Sequence, residues 1–304
     1  MKAVHWVRLA RPRQWSKNLL LFAGLIFAGR LRDSPALYAQ GDIAGALLAP
    51  AQALLGFASF VLLSASVYAL NDLRDAAEDR QHPVKRLRPV ASGDVPPLEA
   101  GILAALWGLA GLALAALLGG RFEALALGYL ALSTLYSLWT KHQVILDVLS
   151  LAAGFVLRAA AGAVAVGVEI SAWLLVCTTL LALFVGFIKR RAELAALPPG
   201  VKSARSSLQH YSLPLLDQMI AVVASPTLLA YTLYAFSAHS DQRGPWMMLT
   251  IPFVLYGILR YLYLAHQKGM GQAPEKVLLG DRALQIDLVL WVLCSGAIVV
   301  ATRP

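Results

Sequence analysis

Apolar runs of about 20 residues dominate this chain, each long enough to cross the hydrocarbon core of a bilayer as a helix. Nine can be placed, over 18–38, 45–70, 98–118, 122–139, 144–167, 171–189, 214–237, 246–265 and 283–301. Arg30 and Arg32 interrupt the first. Polar residues gather between the runs, and the longest polar loops, 71–97, 190–213 and 266–282, all follow even-numbered runs. The pattern predicts an all-α integral membrane protein with nine transmembrane helices, a single transmembrane catalytic domain over 1–304.

Composition agrees. Of 304 residues 59% are hydrophobic and 14% charged, with a mean hydropathy of +0.65; a soluble domain carries about 25% charged residues. The net charge of +9 could suggest a nucleic-acid partner, but topology explains it better. Of the 26 Lys and Arg, 19 fall at the N-terminus and in the loops after even-numbered runs, and five fall on the other side. Arg158 and Arg260 lie inside runs. Basic residues accumulate on the cytoplasmic side. The N-terminus and the long loops are therefore expected in the cytoplasm, the C-terminus outside, the chain in the inner membrane, and no nucleic acid as partner. MKAVHWVRLARPRQWSKN has no apolar core ahead of its basic cluster, so no cleavable signal peptide is expected. Cys177 and Cys294 lie in apolar runs and read as buried thiols without a disulfide. The six histidines show no HExxH spacing, which argues against zinc.

The chemistry concentrates in NDLRDAAEDRQHPVKRLRPVASG, Asn71–Gly93, directly after the second run. If the helix continues past Tyr68, Asn71, Asp75 and Asp79 lie one turn apart on one face. At about 100° per residue Asp72 falls near Asp79, so the four form one stripe. Like charges at this spacing destabilise a helix unless something neutralises them, which disfavours a plain solvated helix end. Clustered oxygen ligands suit Mg²⁺, which takes one or two carboxylates and fills its other positions with water and substrate phosphates. Lys85, Arg86 and Arg88 follow, as a phosphate-binding loop requires.

Further polar residues flank other runs. Lys141 and Asp147 stand at the start of the fifth, and Arg158 lies deep inside it, where an arginine faces a polar cavity or an acid. FIKRRAEL carries Lys189, Arg190, Arg191 and Glu193, which membrane anchoring would explain equally well. In RPRQWSKN, Arg11 and Arg13 read as anchors, and Lys17 and Asn18 as site candidates. Asp281 and Arg282 could pair with each other or cap the ninth helix.

The segment NDxxDxxxDxxHPxKxxRPxASG at 71–93 resembles the UbiA superfamily of intramembrane prenyltransferases, and the resemblance covers nearly the whole chain. Within it the chain is most similar to the decaprenyl-phosphate phosphoribosyltransferase branch, through RPRQWSKNLLLF at 11–22, HPVKRLRPVASG at 82–93, TKHQVILDV at 140–148, GFVLRAAAG at 154–162, KRRAEL at 189–194 and EKVLLGDRALQ at 275–285. One departure stands out. Prenyl-transferring members carry a second DxxxD motif, and here Asp147 is followed four residues later by Leu151.

The resemblance implies a UbiA-like bundle with a central cavity open to the cytoplasm. It implies Mg²⁺-dependent (or Mn²⁺-dependent) transfer of 5-phosphoribose from phosphoribosyl diphosphate to a polyprenyl phosphate lipid. The expected roles are catalytic for Asp72, Asp75 and Asp79, and metal-binding for Asn71, Asp75 and Asp79. Substrate contacts are expected from Lys17, Asn18, Lys85, Arg88, Lys141, Asp147, Arg158 and Lys189. Prenyl transfer to an aromatic acceptor is the alternative. A lipid-binding or transport protein without chemistry is a remoter one, because transporters place charge near the midplane. The oligomeric state stays open, a homo-oligomer included.

Overall fold

The computed structural model describes residues 2–27, 43–81, 85–197, 206–237 and 244–301, and every element among them is helical. Contacts divide the chain into two compact units. One comprises Met1–Ser137 with Leu157–Glu169, the other Leu138–Val156 with Ile170–Pro304.

The first unit opens with α1 (Lys2–Leu9), a 3₁₀ segment (Pro12–Phe22) and α2 (Ala23–Phe27). Then come α3 (Ile43–Arg74), α4 (Ala76–Gln81), α5 (Pro97–Leu117) and α6 (Gly120–Leu138). The second half of α7 (Leu146–Ala165) completes it. Lipid is as apolar as leucine, so helices in a bilayer associate through close packing and interhelical hydrogen bonds. The α3–α5 pair uses both. A methyl group on Gly111 would meet the Leu63 side chain at 2.8 Å, and Ser59 and Ser66 each donate to a backbone carbonyl of α5, of Gly111 and Ala104, at 2.8 Å. Phe60, Leu63, Phe122, Ala126 and Tyr129 form the core with Leu21 and Ala161; the Phe60 and Phe122 rings meet edge to face at 5.8 Å. The 3₁₀ segment touches α7 backbone to backbone, since a Cβ on Gly162 would lie 2.1 Å from the Leu21 carbonyl oxygen.

The second unit contains a 3₁₀ turn (Thr140–His142), the first half of α7, α8 (Ala172–Ala195) and a 3₁₀ turn at Ser206–His210. It continues with α9 (Leu213–Ser237), a 3₁₀ stretch (Gly244–Thr250), α10 (Ile251–Gln267), α11 (Pro274–Gly280) and α12 (Arg282–Ala301). Ser171 caps α8 by accepting from the Leu174 N–H at 3.4 Å. Val148, Phe184, Phe187, Ile188, Leu216, Ile220 and Tyr261 fill the core.

Among the described residues, six helical stretches are long and apolar enough to cross a membrane: Leu47–Arg74, Pro97–Leu117, Leu146–Ala165, Ala172–Ala195, Leu213–Ser237 and Trp246–Gln267. The apolar runs at 122–139 and 283–301 are helices too, α6 and α12. The first run departs from expectation. Its start is 3₁₀ up to Phe22 and α-helical only to Phe27, and the remainder, with Arg30 and Arg32, lies outside the described residues. The 3₁₀ segment begins ahead of this run, with Arg13, Gln14, Ser16 and Lys17, and its Leu21 backbone docks on α7. Both cysteines are free and half-buried rather than buried.

Candidate active site

Helical hydrogen bonding carries on through the end of α3. The Asp75 N–H donates to Asn71 O at 2.9 Å and the Asp79 N–H to Asp75 O at 2.8 Å. The one-turn spacing of Asn71, Asp75 and Asp79 is thus preserved across the break before α4. Asp72 and Asp79 are buried, at 1% and 2% exposure; Asn71 and Asp75 are half-buried and Glu78 is exposed. The loop after α4 folds back, with Arg80 Nε donating to Ala91 O at 3.3 Å. This brings Arg88 onto the acids: its Nη1 lies 2.6 Å from Asp79 Oδ2 and 3.5 Å from Asp72 Oδ1. Arg11 reaches Asp72 Oδ1 from the other side and lies over the Tyr68 ring at 5.0 Å. Its backbone is left-handed, φ 51°, where the chain turns into the 3₁₀ segment.

Asp72 Oδ2 is buried and receives no hydrogen bond. Leaving a buried carboxylate oxygen unsatisfied is costly, so a position of this kind asks for a ligand. Among the described residues no three His, Cys, Asp or Glu side chains gather closely enough to hold a metal by themselves. Mg²⁺ does not require that: one or two carboxylates suffice where substrate phosphate supplies the rest. Hard oxygen donors around an unsatisfied carboxylate fit that ion.

A second cluster of the same unit surrounds Arg158. This buried side chain donates through Nε to Asn18 Oδ1 at 2.7 Å and through Nη2 to the Tyr129 hydroxyl at 2.9 Å. The Asn18 amide reaches Ser64 Oγ at 3.5 Å, and Ser64 is 3.2 Å from the Tyr129 hydroxyl.

Asp147 belongs to the other unit and is fully buried. Arg190 Nε donates to its Oδ2 at 2.7 Å, and Tyr211 donates to its Oδ1 at 3.1 Å. Arg190 also bonds Glu193 at 2.7 Å, and Lys189 stands 3.9 Å from Glu193. Burial, with the Asp147 carboxylate adding to it, pushes the Tyr211 phenol up to about 12.

Comparison with known proteins decides the family. The model of the UbiA prenyltransferase family matches residues 35–279. The chain belongs to the UbiA prenyltransferase family. A decaprenyl-phosphate phosphoribosyltransferase of Corynebacterium glutamicum is 34% identical over 95% of this chain and 84% of its own length. One of Mycolicibacterium smegmatis is 34% identical over 96% of this chain and 91% of its own. Among solved structures, a UbiA homolog from Archaeoglobus fulgidus bound to GPP and Mg²⁺ aligns with a TM-score of 0.69 at 18% identity, covering 97% of this chain and 99% of that one. This last likeness shows the fold.

Against the UbiA pattern, the expected residues fall into separate groups. Asp72, Asp79 and Arg88 come together; Asn71 and Asp75 stand on the same helical stretch. Asn18 and Arg158 bond each other. Asp147 is enclosed by protein partners. Lys17, Lys85, Lys141 and Lys189 are half-buried. Asp281 bonds Arg260 at 2.7 Å, not Arg282, and caps α12 through the Leu284 N–H at 2.8 Å. An open groove of about 400 Å³ is lined by Asp217, Ile220, Leu262, Tyr263 and His266, and by none of the expected site residues. Sequence reading missed the parts played by Arg11, taken for an anchor, and by Tyr129 and Tyr211, and left Arg190 between anchor and site. Arg11 and Arg190 carried a signal, since they stand in the shared motifs RPRQWSKN and KRRAEL.

Proposed function

We propose that this multi-pass membrane protein transfers 5-phosphoribose from phosphoribosyl diphosphate to a polyprenyl phosphate. The observation that carries the reading is the 34% identity, over 95% of the chain, with a protein named for that reaction. The closed state of Asp147 supports it. With Leu151 in place of a second acid and both Asp147 oxygens engaged by Arg190 and Tyr211, the described residues offer one open acid cluster, at Asp72 and Asp79. One cluster suits a donor with one diphosphate.

In this reading a phosphate oxygen of the lipid attacks ribose C1, the C1–O bond to diphosphate breaks, and diphosphate departs with the electron pair. The lipid phosphate is already anionic, so no general base is needed. Mg²⁺, held by the unsatisfied oxygen of Asp72 with Asn71, Asp75 and Asp79, would neutralise charge building on the diphosphate. Arg88 and Arg11 hold the Asp72 and Asp79 carboxylates oriented. Arg158 fixes Asn18 toward the donor, and Lys17, Lys85, Lys141 and Lys189 supply phosphate contacts. Rate enhancement comes from positioning and electrostatics. The remaining topology belongs to the same proposal: nine spans with the N-terminus, the acids and a central cavity on the cytoplasmic face of the inner membrane.

Membranes containing the protein should pass label from phosphoribosyl diphosphate into the lipid fraction when given polyprenyl phosphate. They should not prenylate 4-hydroxybenzoate-like aromatics. Label on an aromatic acceptor, with none entering lipid from the phosphoribosyl donor, would overturn the reading.

A further inference from the structure

The loop that carries Lys141 is tied to the segment 206–211. Ser207 Oγ lies 3.0 Å from the Lys141 carbonyl oxygen, His142 Nδ1 lies 2.9 Å from Ser206 Oγ, and the Ile145 N–H donates to the Tyr211 hydroxyl at 2.7 Å. All three ties run to the short segment 206–211. Two of their side chains also reach Asp147, Tyr211 at 3.1 Å and Ser207 at 3.4 Å, and Asp147 is fixed by Arg190. Ile145 adopts φ 67°, a left-handed conformation that a β-branched residue takes only when its surroundings impose it. Ile145 itself is exposed; its N–H donates to a buried, anchored phenol and its carbonyl accepts from the Val148 and Leu149 N–H groups at the start of α7, and these bonds together hold it there.

We propose that Tyr211 and Ser207 are positioning residues for Lys141. They fix the Lys141–Ile145 turn, and with it the point from which the Lys141 ammonium meets a substrate phosphate. The inference rests on the reading of Lys141 as a phosphate contact. Asp147 and Arg190 form the fixed base: Asp147 accepts from the Tyr211 hydroxyl and orients it, Arg190 holds Asp147, and Ser207 gives its one proton to the Lys141 carbonyl. The Tyr211 phenol, pushed up to about 12 chiefly by burial, stays a proton donor throughout the working pH range.

The test is steady-state kinetics on the full-length protein in membranes, varying phosphoribosyl diphosphate and polyprenyl phosphate in turn. Lys141→Ala should raise KM for one of the two substrates. Tyr211→Phe should raise KM for that same substrate by about tenfold and change kcat less than about twofold, because it removes one buried hydrogen bond and no reacting group. Ser207→Ala should act on the same substrate more weakly. In a Lys141→Ala background both effects should disappear, since residues acting through a shared partner are not additive. If Lys141→Ala shifts KM but Tyr211→Phe and Ser207→Ala keep their full effects in its background, positioning through Lys141 is wrong. If Lys141→Ala leaves both KM values unchanged while transfer continues, the reading of Lys141 fails and the inference with it. Should Tyr211→Phe not fold, as thermal melting will reveal, Ser207→Ala decides alone, because it leaves the Asp147–Arg190 pair intact.

Discussion

Asp72 and Asp147 are both buried carboxylates beside arginine, yet they end differently. Asp147 has both oxygens bonded, by Arg190 and Tyr211. Asp72 has Arg11 and Arg88 on one oxygen and nothing on the other. Burial and charge pairing therefore do not distinguish the two; unused hydrogen-bonding capacity does, and it is what the proposed reading uses to set Asp72 apart as the reactive acid. A satisfied acid rigidifies its surroundings. An unsatisfied one keeps a place for something the chain does not itself supply.

The sharpest way to break this contrast is to remove divalent metal. Chelation should abolish transfer, and added Mg²⁺ should restore it, because oxygen-only donor sets hold hard cations. Undiminished transfer in excess chelator would mean that the open Asp72 oxygen serves another purpose. Next in size is Asp147→Ala. It takes the buried carboxylate partner away from the Arg190 guanidinium, and should cost about 3 kcal/mol of stability, read as a lower melting temperature in detergent. An unchanged melting temperature would put Asp147 with the reactive acids. Asp72→Asn should do the opposite: transfer falls by at least about a hundredfold while melting stays close to wild type, since groups acting on a leaving group are worth a few kcal/mol in the transition state. Asp75→Asn should behave likewise.

The smallest effect concerns Asp281. The Arg260 guanidinium, and then the Leu284 N–H, hold its carboxyl below the usual carboxylate range. A lowered folded-state pKa contributes stability above the ordinary value and loses it as pH falls through the lowered one. Wild type should thus lose a little more melting temperature than Asp281→Asn between neutral pH and about pH 3, where carboxylates protonate. Parallel curves would remove the pair from the stability of α12.

Much of this was legible in the chain. The acid stripe could be read because helical spacing fixes it, and Arg88 because a cation follows the acids within one loop. Eight of the nine apolar runs are described as helices over most of their length, since about 20 apolar residues admit little else in lipid. Arg11 and Arg190 were hidden by the same rule that orients the protein: an arginine at a membrane boundary looks like an anchor until its burial is known, and Arg190 is 0% exposed. Tyr129 and Tyr211 left no trace, because a tyrosine in or beside an apolar run reads as core or as interface belt. The 3₁₀ course of the first run depends on a docking surface that lies more than a hundred residues away in sequence, on α7.

That docking has a genetic consequence. The Leu21 carbonyl oxygen occupies the space where any side chain at position 162 would begin. Even alanine there must push the 3₁₀ segment outward, and Asn18, one turn earlier, would leave Arg158. Position 162 thus behaves as a spelling with a single permitted letter. A library of every substitution there, selected for transferase activity, should return glycine alone, while exposed Leu19 beside Asn18 should return many residues.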